Sequence, residues 1–105
     1  MTTVADVRRV LDQHPNLGAF GFGSPPPDRV DEFAQQVDAA RRWIAASPDA
    51  RRIVERRGSY VLKHAAERWA GAHVQNGAFI VAAALSGFQP VHSRYPGPNC
   101  RFRAS

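Results

Sequence analysis

A chain of 105 residues supports one modest hydrophobic core, and 44% hydrophobic content with six Phe, two Trp and two Tyr excludes wholesale disorder. The formal charge of +5 is unevenly placed: residues 1–50 carry five arginines against seven carboxylates, whereas residues 51–105 carry nine basic side chains against Glu55 and Glu67. That basic half calls for an anionic partner, and the single Cys100 excludes an internal disulfide and suits a reducing cytoplasm.

In chain order, Val4, Val7, Val10 and Leu11 lie on one stripe of a helix near 3–13, with Thr2 or Thr3 as its cap. Asp6, Arg8 and Arg9 interrupt any apolar leader, and Pro15 ends the helix at His14. Gly18, Gly21 and Gly23 match neither a dinucleotide nor a P-loop fingerprint, and Pro25–Pro27 deny the segment the helix start that phosphate binding needs. It reads as a loop tacked down by Phe20 and Phe22. Together these residues, 1–23, form the N-terminal part of a single domain.

Asp28 is placed to cap the next helix, near 29–46, whose Val30, Phe33, Val37, Ala40 and Ile44 make one buried face. Ser47-Pro48 predicts the start of another, near 48–57, with Ala50, Ile53 and Val54 inward and Arg51, Arg52 and Arg56 outward around Glu55. Gly58 is its expected C-terminal cap, which closes a helical pair over 28–58. Ser59 then caps a helix near 60–70 with Leu62, Ala65, Ala66 and Trp69 on its apolar face and Gly71 at its end. Asn76 caps a helix near 77–86 that is apolar nearly all round, the pattern of a central core helix packed by Phe33, Leu62, Trp69 and Phe88. The apolar run from Gly77 to Phe88 is too short to span a bilayer, so no membrane partner is expected.

The tail alternates in period two around Pro96-Gly97-Pro98-Asn99, which predicts a β-hairpin near 90–103. One face would hold Val91, Tyr95, Cys100 and Phe102; the other would hold His92, Arg94, Arg101 and Arg103. Its prolines suit an edge position. The fold class is therefore mainly α, a small helical domain with a C-terminal β-hairpin, and the order helix, helix, hairpin over 59–105 has a winged helix-turn-helix layout. The second of those helices offers only Gln75, Asn76 and Ser86 to base edges, which argues against sequence reading through it.

The contact residues this pattern nominates, for nucleic acid or an acidic protein, are Arg51, Arg52, Arg56, Lys63, Arg94, Arg101 and Arg103. Lys63 is the only lysine among the fourteen basic residues; arginine forks onto phosphates, yet a GC-rich coding preference explains the bias as readily. His64 with His73, or His92 with Cys100, lack paired metal-ligand spacing, so neither a metal nor another cofactor is expected. Glu55 and Glu67 fall on different helices, too sparse for a metal-dependent nuclease, and a Cys100–His92 pair has no third group to orient the base. Nothing here predicts an enzyme.

Ser59-Tyr60-x-Leu62-Lys63-His64-x-x-Glu67, then Asn76-Gly77-x-Phe79-Ile80-x-Ala82-Ala83, Gly87-Phe88 and Gly97-Pro98-Asn99, resembles a block in short uncharacterised proteins of bacterial phages, plasmids and integrative elements. The resemblance covers residues 59–99 and carries no catalytic residues with it. It implies an accessory protein of a mobile element: a small nucleic-acid-binding regulator, with DNA ahead of RNA, or a protein-binding inhibitor of a host defence system in the manner of an anti-CRISPR.

Overall fold

The computed structural model describes residues 1–92 and 97–104 and is mainly helical, with a C-terminal antiparallel hairpin. Helix α1 (Val4–Gln13) begins with a capping box: the Thr3 hydroxyl accepts from the Asp6 N–H at 3.1 Å, and the Asp6 carboxylate accepts from the Thr3 N–H at 3.0 Å. Those hydrogen bonds hold the Asp6 carboxyl below the usual carboxylate range. Thr2, just before the cap, docks α1 on helix α2 (Val30–Ala46). Its N–H and hydroxyl donate to Asp38 at 3.0 and 3.1 Å, and its hydroxyl accepts from Arg41.

Helix α5 (Asn76–Leu85) is the centre of the molecule, buried without interruption from Asn76 to Ala83. Phe33, Val37, Ala40 and Trp43 of α2 cover one side of it, and Leu62 and Ala66 of helix α4 (Ser59–Ala70) belong to the same core. The Phe79 ring meets Trp43 at 6.0 Å and Phe102 at 5.8 Å, both in angled aromatic packing. Helix α3 (Ala50–Arg56) lies against the hairpin of β3 (Phe88–His92) and β4 (Cys100–Ala104). A second, very short hairpin, β1 (Leu17–Gly18) with β2 (Gly21–Phe22), is seated on the start of α5. Gly77 makes that seat possible, because a Cβ there would run into the Gly18 carbonyl oxygen.

Several local expectations are corrected by tertiary packing. Asp28 does not cap α2; Arg29 holds the cap position without a side-chain bond, and its guanidinium instead reaches Glu32 at 3.1 Å. Helix α3 begins at Ala50 rather than Pro48, because Ser47 is still committed to the last turn of α2 through its N–H to the Trp43 carbonyl. Gly58 takes an extended conformation and becomes the cap of α4. Ser59 and Asn76, the two expected caps, sit one residue inside their helices, where both are buried and bond to distant segments.

Trp69 is 52% exposed at the end of α4, and the core aromatic against Phe79 is Trp43. Ile53 is likewise exposed at 37%, leaving Ala50 and Val54 as the inward side of α3. Phe20 does not pin its loop. It stands 61% exposed, while backbone bonds hold the segment, from Ala19 to Pro25 and Gly77 and from the Phe22 N–H to the Pro98 carbonyl.

The hairpin reverses one expected face. Phe88 is buried and sets the parity of β3, so His92 stands opposite Cys100 and Pro90 opposite Phe102, with Val91 opposite Arg101 on the outer face. A shift of one position exchanges the two faces of a strand, which is why Val91 joins the arginines and His92 leaves them. His92 stacks on Phe22 at 4.4 Å and shares a 2.8 Å hydrogen bond with the Gly97 carbonyl. The expected places of Arg94 and Tyr95 lie outside the described residues.

Candidate nucleic-acid interface

The α3 arginines and the hairpin arginines are about 45 residues apart in sequence. Packing of α3 on the hairpin joins them into one surface. The Arg101 guanidinium donates to the Arg56 carbonyl at 2.8 Å, tying β4 to the last turn of α3. At the other end of the helix, the Arg51 guanidinium lies 4.6 Å from the centre of the Phe88 ring, a cation–π contact that leaves its N–H groups at the surface. Arg103 donates to Gln89 across the ladder at 3.2 Å. Arg52 on α3 and Arg57 at its C-cap are exposed, as are Arg51, Arg56, Arg101 and Arg103.

None of the six lies in an ion pair among the described residues, and Glu55, the one carboxylate on α3, answers none of them. The contacts they do make are to a carbonyl, a neutral amide and a ring, which position guanidinium groups without neutralising them. Ile53 on α3 and Val91, opposite Arg101 in the hairpin, are exposed as well, at 37% and 42%.

Lys63 belongs elsewhere. It is 8% exposed, with its ammonium 3.5 Å from Glu67 and 5.3 Å from the centre of the Tyr60 ring. Glu67 is the hub of a polar cluster that sequence reasoning missed. Oε1 takes Lys63 and His64 Nδ1 (2.9 Å), while Oε2 takes the Val74 N–H and His73 Nδ1, both at 3.0 Å. Burial pushes the Glu67 carboxyl up, and the Val74 N–H, Lys63 and His64 more than offset that, so it lies below its ordinary value. The i, i+3, i+4, i+7 spacing of Tyr60, Lys63, His64 and Glu67 was a legible sign of one helix face; the return of His73 and Val74 past Gly71 was not.

Beside this cluster lies a cavity of about 340 Å³, lined by Phe20, Tyr60, Lys63, Asn76, Pro98 and Asn99 together with His73 and Gln75. Asn76 builds its inner wall. The Asn76 amino group faces three acceptors, the Phe20 and Pro98 carbonyls at 3.2 Å and Asn99 Oδ1 at 2.9 Å, which sets the orientation of the amide. Its Oδ1 is buried without a hydrogen-bond partner among the described residues. Cavity and arginine surface meet across one bond: the Cys100 N–H donates to Ser59 Oγ at 3.1 Å, with Asn99 and Tyr60 on the cavity side and Arg101 and Arg56 on the other.

Cys100 and His92 do stand opposite each other, but burial raises the Cys100 thiol to about 12, with the Ser59 hydrogen bond only partly opposing it. A thiol so held is a packing group, not a nucleophile. Helix α5, the second helix of the expected winged layout, is buried through Ala83 and has no face to lay in a groove. No helix among the described residues is long and apolar enough to cross a membrane. Compared with known proteins, the chain matches no family model, no curated protein and no solved structure.

Proposed function

We propose that this protein binds nucleic acid through the arginine surface of α3 and β4, as a small non-enzymatic accessory or regulatory protein of a bacterial mobile element. The observation that carries the reading is the contrast in pairing. Six exposed arginines of α3, its C-cap and the β4 strand packed on it lie in no ion pair among the described residues. Arginine's planar fork matches phosphate oxygens in bidentate fashion, and positive charge without internal counter-ions is free to displace condensed cations from a polyanion. The setting rests on the resemblance of residues 59–99 to short proteins of mobile elements. With α5 buried, the contacts position a backbone rather than read base edges in a groove.

Binding measured at several salt concentrations tests this. Four to six phosphate contacts give a slope of log affinity against log salt of about −3 to −5. Removing Arg101 and Arg103 together flattens it by about two units and weakens all sequences alike. No binding at low salt to duplex DNA, single-stranded DNA or RNA overturns the reading.

A second reading, an inhibitor of a host defence protein, is favoured by Ile53 and Val91. Exposed aliphatic side chains among arginines suit the centre of a protein interface better than a phosphate track. In that case the same arginines meet an acidic protein surface.

A further inference from the structure

We infer that the cavity between Phe20 and Tyr60 receives one unstacked base of a single strand whose phosphates lie on Arg56 and Arg101, an inference that rests on the proposed nucleic-acid binding. Phe20 and Tyr60 are 61% and 52% exposed, the pair of large rings that the fold leaves standing at the mouth of the cavity. Neither is needed to hold its own segment, since the Phe20 loop is fixed by backbone bonds and α4 by Leu62 and Ala66. Exposed rings flanking a cavity are the usual platform for base stacking, and stacking tolerates any base because every base has a π-face.

The polar groups at the wall fit the same occupant. Asn99 spends its carbonyl oxygen on Asn76, and its amino group has no partner among the described residues. With the Lys63 ammonium and the Gln75 amide, this presents donors to the acceptor-bearing edge of a base. Charge selects the cavity as well. A neighbouring cavity of about 360 Å³ that shares Phe20 is walled by Asp28, Glu32 and Arg29, and with Glu32 paired to Arg29 the Asp28 carboxylate leaves it a negative charge that disfavours a phosphodiester. The cavity beside Asn76 has no carboxylate in its lining, and Asn99 on its wall comes two residues before Arg101. From Asn99 to Arg101 is two residues of extended chain, about 7 Å, so a strand seated in the cavity reaches the arginines with its next phosphate.

The test compares a short single-stranded oligonucleotide carrying 2-aminopurine, the same strand with abasic sites throughout, and the corresponding duplex. Wild-type protein is expected to bind the aminopurine strand at least about 10-fold tighter than the abasic strand, with its fluorescence quenched by stacking. Phe20→Ala with Tyr60→Ala is expected to remove that preference and the quenching while leaving duplex affinity and salt slope unchanged at temperatures where the variant is folded. Equal affinity for the base-bearing and abasic strands, with the salt slope retained, overturns the base pocket and leaves the arginine surface standing. Failure to bind any of the three probes at low salt overturns both.

Discussion

The arginines of the first half and those of the second behave as different materials. Arg9, Arg29 and Arg42 each pair with a carboxylate three or four residues away on or at the cap of the same helix, at 3.1–3.5 Å, and Arg41 donates to Thr2. On α3 and β4 the guanidinium groups of Arg101, Arg103 and Arg51 meet a carbonyl, an amide and a phenyl ring, and no carboxylate among the described residues. Four of the five arginines of the first half are thus engaged within the chain, Arg8 being the exception, whereas those of α3 and β4 lie in no ion pair among the described residues. Total charge hides this distinction, since arginine counts alike in both halves. What separates the two is pairing in space and not spacing alone, since Glu55 stands four residues after Arg51 and three after Arg52 yet forms an ion pair with neither.

If that comparison is sound, fold stability and binding respond to different substitutions. The largest effect on stability is expected from Phe79→Ala, which empties the contact between Trp43 and Phe102 at the centre of the core and costs about 3–5 kcal/mol by chemical denaturation. At temperatures where the variant is folded, its salt slope for nucleic acid should equal that of the wild type. A changed slope would mean that the arginine surface depends on the core more directly than its position on α3 and β4 implies.

Glu67→Gln comes next. It keeps an acceptor for the Val74 N–H but leaves the buried Lys63 ammonium without a counter-charge, at a cost of about 2 kcal/mol, short of a fully buried pair because both side chains keep some contact with water. The sign of its pH dependence follows from the lowered Glu67 carboxyl. Its contribution is complete above the unfolded value of about 4.3 and is lost as pH falls through the lower folded value. Melting curves of wild type and variant should therefore converge as pH drops below about 4. Curves that stay parallel would show that the cluster is held by something other than the carboxylate's charge.

The smallest effects sharpen the comparison most. Arg9→Ala, Arg29→Ala and Arg42→Ala remove exposed intrahelical pairs and should each cost at most about 0.5 kcal/mol, with affinity for nucleic acid changed by less than about twofold at 150 mM salt. A loss of affinity equal to that of the hairpin double variant would erase the distinction between the two sets.

Much of the framework was legible because it is governed by short-range rules. Thr3, one of two threonines in reach of the cap position, caps α1; α1 stops just before His14-Pro15 and α4 just before Gly71; the unbroken apolar run after Asn76 could only be an interior helix. The misreadings share a cause. Ser59 and Asn76 look like caps because their side chains commonly bond nearby backbone, yet here they bond Cys100, Phe20, Pro98 and Asn99, between 22 and 56 residues away. Trp69 fits the apolar stripe of α4 by spacing, but a stripe does not say how far along the helix its neighbour extends.

By itself, then, the amino-acid order determined where the helices lie, that the helix from Asn76 is interior, and that positive charge gathers after residue 50. Each of these follows from periodicity, capping or composition within a few residues. The tertiary structure alone decided which arginines lie in no ion pair among the described residues, which face of the hairpin carries Arg101 and Arg103, and that Lys63 pairs with Glu67 instead. It also decided that Phe20, Tyr60, Asn76 and Asn99 enclose one cavity. Those outcomes depend on Phe88 setting strand parity and on α3 packing against β4, contacts between segments about 30 to 50 residues apart whose geometry no local pattern encodes.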